Sequence, residues 1–414
     1  MDSFAPYSVS AGLHLAMAES AAVLQWDELG KLICAERELV GAGTDFGDSV
    51  MARTRAVAEL IERQVGFLYG DLDTVIDRKS RLGSSAVDLE RLPRCSDREY
   101  ALPSCPLRPP DPDRDMEWIR ARNLMTGERQ WIPLSLVLLH GTEVSSHDRL
   151  MTPISTGLAT HVNATEALLA AVVETIERDA IALTWEARLP LPQLAPECLT
   201  PNARAFLEAD RQRGISTLLF DATTDIDEVA VVYCLQLDEN NDDVAQHVHC
   251  AAALDVGAAA EKVLRESSSS RLAIARAAQT RHVASVEKIT QLTDGAIYMG
   301  MRSRRDAFRF LMTESPTSTV SSRVKKVTSA EQLSLLVAQL KSLGIQLMAV
   351  DLTSRSARRY GLTVVKVLAC GLLPFSHLPS ARYRGVPRLY AYPLARFGKS
   401  LREDDLNPWP QPFA

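Results

Sequence analysis

Two stretches of this chain carry the same set of charges. Residues 56–63 read AVAELIER and residues 171–178 read AVVETIER, so six of eight positions agree. In each copy two glutamates stand three residues apart, Glu59 with Glu62 and Glu174 with Glu177, and an arginine follows, Arg63 or Arg178. On a helix that spacing puts both carboxylates on one face. Such like charges repel by roughly a few tenths of a kcal/mol even when exposed. Apolar residues flank both pairs, and carboxylates held near a low-dielectric core need a compensating cation. Mg2+ prefers oxygen ligands and binds through a few carboxylates together with substrate phosphates. Two such helices face to face offer four carboxylates for metal and two arginines for phosphate. A charged stripe on a duplicated amphipathic helix has the same spacing, and the spacing alone leaves both readings open.

The elements that must position these residues follow from pattern. Residues 50–66 are apolar at helical spacing, and a long helix is expected from Ala164 to Trp185. Between them, 96–116 is rich in Pro and Asp and reads as a loop, 131–141 as a buried strand, and STGLATHVN at 155–163 as a polar turn. Strands are expected at 215–223, 228–238, 244–255, 345–353 and 362–372, the last two separated by an Arg-rich turn, and a further helix from Ala258 to Ala278. Helices alternate with strands in both halves, which points to a layered α/β or α+β domain.

Composition narrows the function classes. A net charge of -6 with scattered basic residues excludes a nucleic-acid-binding surface. No Lys or Arg precedes Lys31, so a secretory signal is absent, and no apolar run approaches the ~18 residues that span a bilayer. Seven cysteines without a CxxC spacing suit a reduced, cytoplasmic protein. No GxxxxGK[ST] is present, and GAGTDFG at 41–47 has the wrong spacing for a dinucleotide fingerprint, so a nucleotide would have to be held through carboxylate-bound Mg2+. His247, His249 and Cys250 are metal ligands by type, but on a strand the histidines face one way and the cysteine the other. His161 reads as a surface histidine, and Trp409 as an anchor of the tail or part of a partner surface.

The segment STGLATHVNATEALLAAVVETIERDA (155–180) closely resembles the signature of the YcaO family, and RTRAVAELIER (53–63) is similar to that family's earlier helix. VLRESSSSRLAI (263–274), VDLTSRSARRYGLTVVKVLACGLLP (350–374) and the ending RGVPRLYAYPLARFG…REDDLNPWPQPFA resemble its azoline-forming branch. The resemblance implies a YcaO fold of mixed sheets and packed helices, enclosing Mg-ATP between the two glutamate-bearing helices. It implies Glu59, Glu62, Glu174 and Glu177 as metal ligands, and Glu166, Arg178, Glu266 and Arg271, with Arg63 and Ser155, around the nucleotide. Arg55, Ala170 and Ser269 depart from the family's pattern and put hydrogen bonds around the nucleotide in doubt. Pro408, Pro410 and Pro412 form a stiff PxPxP, which in this branch resembles a device that feeds the terminal carboxylate, here that of Ala414, into the active site.

The division expected is an N-terminal extension (1–35), a catalytic domain (36–400) and the PxPxP tail (401–414). The function implied is ATP-dependent cyclodehydration of Cys, Ser or Thr in a ribosomally made precursor peptide, within azole antibiotic biosynthesis. The partners implied are the precursor peptide, a leader-binding protein of the E1-like or RRE type and a flavin-dependent azoline dehydrogenase, the chain working as a homodimer or hetero-complex. Thioamide formation with an external sulfur donor and a catalytically silent nucleotide-binding scaffold are the alternatives.

Overall fold

The computed structural model describes residues 13–20, 25–26, 32–34, 39–65, 72–139, 149–313 and 327–413. It opens on an antiparallel strand pair, β1 (Leu13–Ser20) with β4 (Leu39–Phe46), and a short ribbon of β2 (Gln25–Trp26) and β3 (Leu32–Cys34). Helix α1 (Ser49–Val65) lies on the β1–β4 pair. The approach is close because both surfaces are built of small residues: Ala16, Ala18, Ala52 and Ala56 are buried together. A Cβ on Gly41 or Gly43 would stand 2.1 Å from the carbonyl oxygen of Ala56 or Ala52. The GAGTDFG run is therefore the seat of a helix, and β1 draws residues of the expected N-terminal extension into the same small layer.

The larger sheet comprises β5 (Thr74–Arg78), β6 (Asp115–Asn123), β7 (Arg129–Pro133), β8 (Leu158–His161), β12 (Gln346–Asp351) and β13 (Thr363–Cys370). Its order is β5-β6-β12-β13-β8, with β7 on β6, so β8 is an edge strand. A second sheet has the order β11-β10-β9, from β9 (Ile215–Asp221), β10 (Ala230–Asp238) and β11 (Gln246–Ala253). Every pairing between these strands is antiparallel, so the α+β alternative is the one adopted.

Helix α2 (Ala164–Ala187) is the axis of the molecule, touching β8 and β13 on one side and β10 and β11 on the other. Asn163 caps its start, accepting from the Thr165 and Glu166 N–H groups, and Arg188 in the left-handed region ends it. No Gly or Pro interrupts the 24 residues, most of which are buried. Around it stand α3 (Pro201–Gln212) on β9, α4 (Val256–Thr280) across β10 and β11, α5 (Asp294–Gly300), α6 (Ser329–Ser342) and α7 (Arg388–Phe397).

Four local expectations are revised. The strand expected over 131–141 stops at Pro133, which has no N–H to extend a ladder, and a 3-10 turn follows over Leu134–Leu136; residues 140 and 141 lie outside the described ones. The polar turn at 155–163 becomes strand from Leu158, because β13 pairs with it from Lys366↔Leu158 to Thr363↔His161. In the Pro-rich loop at 96–116, a capping box from Ser96 and Glu99 nucleates one helical turn, Asp97–Tyr100, and β6 begins at Asp115. The Arg-rich turn after β12 holds a short helix, Arg355–Arg359, capped by Ser354.

Candidate functional site

The two repeat copies meet at the edge strand of the larger sheet. On α1, Glu62 Oε1 accepts the Thr160 N–H of β8 at 2.8 Å. On α2, Glu174 Oε2 accepts the Gly157 N–H, in the turn before β8, at 3.0 Å. The outer two glutamates are held in the same way. Glu59 Oε2 accepts the Ala42 N–H of β4 at 2.8 Å, and Glu177 Oε2 accepts the Ala252 N–H of β11 at 2.8 Å. All four carboxylates thus have one oxygen fixed by backbone.

Charges are arranged unevenly around this row. Arg63 pairs with Glu59 at 2.6 Å. Arg178 stands 3.5 Å from Glu174 Oε1 and 3.7 Å from Glu177 Oε1, and its guanidinium lies 6.0 Å from the ring centroid of Phe375. Lys262 of α4 reaches Glu177 Oε2 at 3.0 Å, and Glu266, one turn on, faces His249 Nε2 at 3.4 Å. Burial pushes the Glu62 carboxyl up, the Thr160 bond opposes this, and the charges of Glu174 and Glu59 push it further, to about 8. Burial also raises Glu174, against the pull of Arg178. Burial acts upward on Glu266 too, but Lys262, His249 and Arg265 outweigh it and hold the carboxyl low.

Among the described residues, no three acidic, histidine or cysteine side chains converge tightly enough to hold an ion as they stand. The donor set still suits a hard cation. Glu62 is a half-buried carboxylate with no ion pair among the described residues, destabilised by two neighbouring carboxylates, and a divalent ion among them removes that penalty.

The remaining expected residues fall into three groups. Glu266 and Arg178 belong to the cluster. Glu166 faces away from it, accepting from Ser329 Oγ at the start of α6; Arg271 pairs with Asp238 and with the Val244 carbonyl at 3.4 Å; Ser155 is exposed, its carbonyl closing the turn to the Leu158 N–H at 2.8 Å. Arg55 does not point at the carboxylates either, but bonds the Thr44 carbonyl and Asp45, both at 2.5 Å. His247 and His249 share one face of β11, their rings stacked 6.4 Å apart, while His161 Nδ1 accepts the Asn163 N–H at 3.0 Å in a local turn.

The C-terminal tail runs into the same neighbourhood. Asn407 is fully buried, its N–H donating to the Glu186 carbonyl at 2.8 Å and its side-chain amide to the Trp185 carbonyl at 3.0 Å; the Trp185 indole donates to the Trp409 carbonyl at 3.1 Å. Pro408 is exposed, whereas Pro410 and Pro412 are buried. The Gln411 carbonyl lies where a Cβ on Gly295 would be 2.2 Å away. Phe413 packs edge-on against Tyr233 at 5.3 Å and Phe375 at 6.4 Å, so one ring separates the end of the tail from Arg178. Ala414 lies outside the described residues.

Sequence reasoning missed Lys262 and Lys366. Lys262 carries a weak signal, four residues before Glu266 on one helix face. Lys366 carries none beyond being a lone charge in the aliphatic run VVKVL.

Solved structures share this fold. A heterocyclase in complex with substrate and cofactor superposes with a TM-score of 0.77 at 21% identity, covering 91% of this chain and 50% of that one. The YcaO protein of Methanopyrus kandleri bound with AMPPCP and Mg2+ gives 0.57 at 19%, covering 87% and 83%. A chain of the E. coli microcin synthetase McbBCD complex gives 0.65 at 14%, covering 96% of each. The chain spans half the length of the heterocyclase it matches. No curated protein matches the chain. The family model for YcaO cyclodehydratases, ATP- and Mg2+-binding, matches residues 47–373, a span that includes both glutamate pairs and the strand between them, and the chain belongs to the YcaO family.

Proposed function

We propose that this chain is an ATP-dependent cyclodehydratase that closes thiazoline or oxazoline rings on Cys, Ser or Thr of a ribosomally made precursor peptide, as part of a cytoplasmic, multi-subunit synthetase of an azole antibiotic. The observation that carries this reading is the bracketing of β8 by Glu62 and Glu174, two half-buried carboxylates whose mutual repulsion a divalent cation relieves. Glu59, Glu62, Glu174 and Glu177 would hold Mg2+, each fixed through one oxygen by backbone. Bound Mg2+ supplies neutralisation of the phosphate charge. Arg178 stands at 3.5 and 3.7 Å from two carboxylates, looser than a tight ion pair, so its guanidinium turns toward a phosphate at small cost. Glu266 and Arg63 adjoin this row and complete the nucleotide's surroundings in this reading, whereas Ser155, Glu166 and Arg271 would have to leave the partners they have here to join it.

In the reaction the substrate's thiol or hydroxyl attacks the preceding amide carbon. The amide oxygen takes the terminal phosphoryl group of ATP, and phosphate leaves as the C=N bond forms. Protons from the attacking group and the amide need an acceptor. Pro408, Pro410 and Pro412 stiffen the last residues, Phe413 is seated beside Phe375, and the Ala414 carboxylate is the acceptor proposed. Residues 36–400 form the catalytic unit, 1–35 an extension and 401–414 the tail. A leader-binding protein of the E1-like or RRE type delivers the precursor, and a flavin-dependent dehydrogenase oxidises azolines to azoles. This is supported by a heterocyclase neighbour twice as long as its matched part, and by a neighbour that is one chain of a synthetase complex.

The test is calorimetric titration of Mg-ATP into the protein and a Glu59→Gln/Glu174→Gln variant, followed by mass spectrometry of a treated precursor with its partner. Binding lost in the variant and one water lost per ring support the reading. Exchange of oxygen for sulfur would identify a thioamide-forming enzyme, and an unmodified peptide in an assembled, nucleotide-bound complex would identify a scaffold.

A further inference from the structure

Lys366 is a charged side chain without an evident reason to be one. It sits in the middle of β13, 1% exposed, between aliphatic neighbours that a methionine would match in shape. Burying an ammonium is costly unless its donors are used. Two of them are used, and they point at one place. Nζ donates to the Ile154 and Thr156 carbonyls, each at 2.7 Å, which are the two carbonyls flanking Ser155 in the turn that leads into β8. The neighbouring charge it feels is Glu174, which opposes the downward pull of burial on the amine.

The turn itself is fitted tightly to β13. Gly157 has a φ of +77°, and a Cβ there would lie 2.2 Å from the Val367 carbonyl oxygen, so only glycine sits in this seat. The Val367 N–H donates to the Gly157 carbonyl at 2.7 Å, and the Gly157 N–H is the group that fixes Glu174. Two carbonyls held by Lys366, one by Val367, and one N–H presented to the carboxylate make a continuous mechanical link from β13 to α2.

We propose that Lys366 is a positioning residue for the nucleotide–metal site: it clamps the 154–157 turn so that the Gly157 N–H sets the orientation of Glu174. The inference rests on Glu174 being a metal ligand in the function proposed above. Lys366 touches neither nucleotide nor metal; it acts through the turn.

The experiment is a double-mutant cycle read by calorimetric affinity for Mg-ATP, in wild type, Lys366→Met, Glu174→Asp and the double variant. Aspartate keeps the carboxylate but is one methylene too short to keep the Gly157 bond, so it uncouples the turn while leaving weak binding to measure. Lys366→Met is expected to weaken Mg-ATP about tenfold in the wild-type background and less than twofold beside Glu174→Asp. Lys366→Gln, which retains a donor for one carbonyl, is expected to lose about threefold, and it carries the cycle if the methionine variant does not fold. Equal losses in both backgrounds, or no loss from either Lys366 variant, would overturn the inference while leaving the functional reading intact. A wild type that binds no Mg-ATP would remove the functional reading, and this inference with it.

Discussion

The two copies of the glutamate octapeptide are nearly the same in sequence and differ in setting. The first lies on a two-stranded layer of alanines and glycines at one flank, where the Glu59 and Arg63 side chains are 34% and 43% exposed and form an ion pair with each other. The second lies on the central helix, where the matching Glu174 and Arg178 side chains are 24% and 25% exposed, Glu177 is 3% exposed, and Arg178 is shared between the two glutamates at looser distances. An arginine committed to one half-exposed partner is a local i,i+4 pair, contributing roughly 0.3–0.5 kcal/mol. An arginine shared inside the protein is one that a phosphate can redirect. The same eight residues therefore make a flanking support in one place and the centre of the site in the other.

If that asymmetry is right, the copies will not tolerate the same change equally. Glu174→Gln is expected to weaken Mg-ATP about 100-fold or more and Glu59→Gln about tenfold, by calorimetry. Equal losses would mean the copies contribute symmetrically. Glu177→Gln adds a stability cost of roughly 2 kcal/mol, because the buried carboxylate that Lys262 and Arg178, themselves 31% and 25% exposed, both face loses its charge. Glu174→Gln leaves the melting temperature nearly unchanged.

Glu62 sharpens the comparison through pH. The unfolded chain ionises it near 4.5, whereas the metal-free folded protein holds the proton until about 8. Between those values the folded state binds the extra proton, so the stabilisation is full below pH 4.5 and is lost as pH climbs through 8. Chelated protein should lose a few kcal/mol of stability over that window, of order 3. Glu62→Gln or saturating Mg2+ should flatten the profile, which denaturant melts from pH 5 to 8.5 would follow. Gly157→Ala comes next in size. With a positive φ and a carbonyl oxygen in the way of its Cβ, it is expected to cost roughly 2 kcal/mol and to loosen β8 between the two copies. A melt within 1 °C of wild type would show that the turn gives way easily.

Much of this was legible from the chain. The period of 171–178 and an uninterrupted run behind Asn163 specify α2, and the E-x-x-E-R spacing specifies which face carries the carboxylates. The part that brings the copies together was not legible. β8 is four residues long, Leu-Ala-Thr-His, too short for a pattern of its own, and it is a strand because β13, some two hundred residues later, pairs with it. The same distance hides Lys366, which reads as an outward face in VVKVL until its acceptors at 154 and 156 are placed beside it. Arg271 was assigned by position in a motif, but its side chain sits on Asp238, a partner that no spacing connects to it.

The smallest expected effect concerns Arg55, the departure from the family pattern that put the site's hydrogen bonds in doubt. It stands one turn before Glu59 but leans the other way, onto Asp45 and the Thr44 carbonyl, a pair of acceptors that Arg265 of α4 also reaches at 3.4 Å. Its side chain is 43% exposed, so the ion pair is screened and contributes under ~1 kcal/mol. Arg265 keeps Asp45 satisfied if Arg55 is removed. Arg55→Ser should therefore change Mg-ATP affinity by less than about threefold and the melting temperature by a degree or two. A tenfold loss would mean that the flanking copy reaches the nucleotide directly, and that the asymmetry between the two helices is smaller than their burial implies.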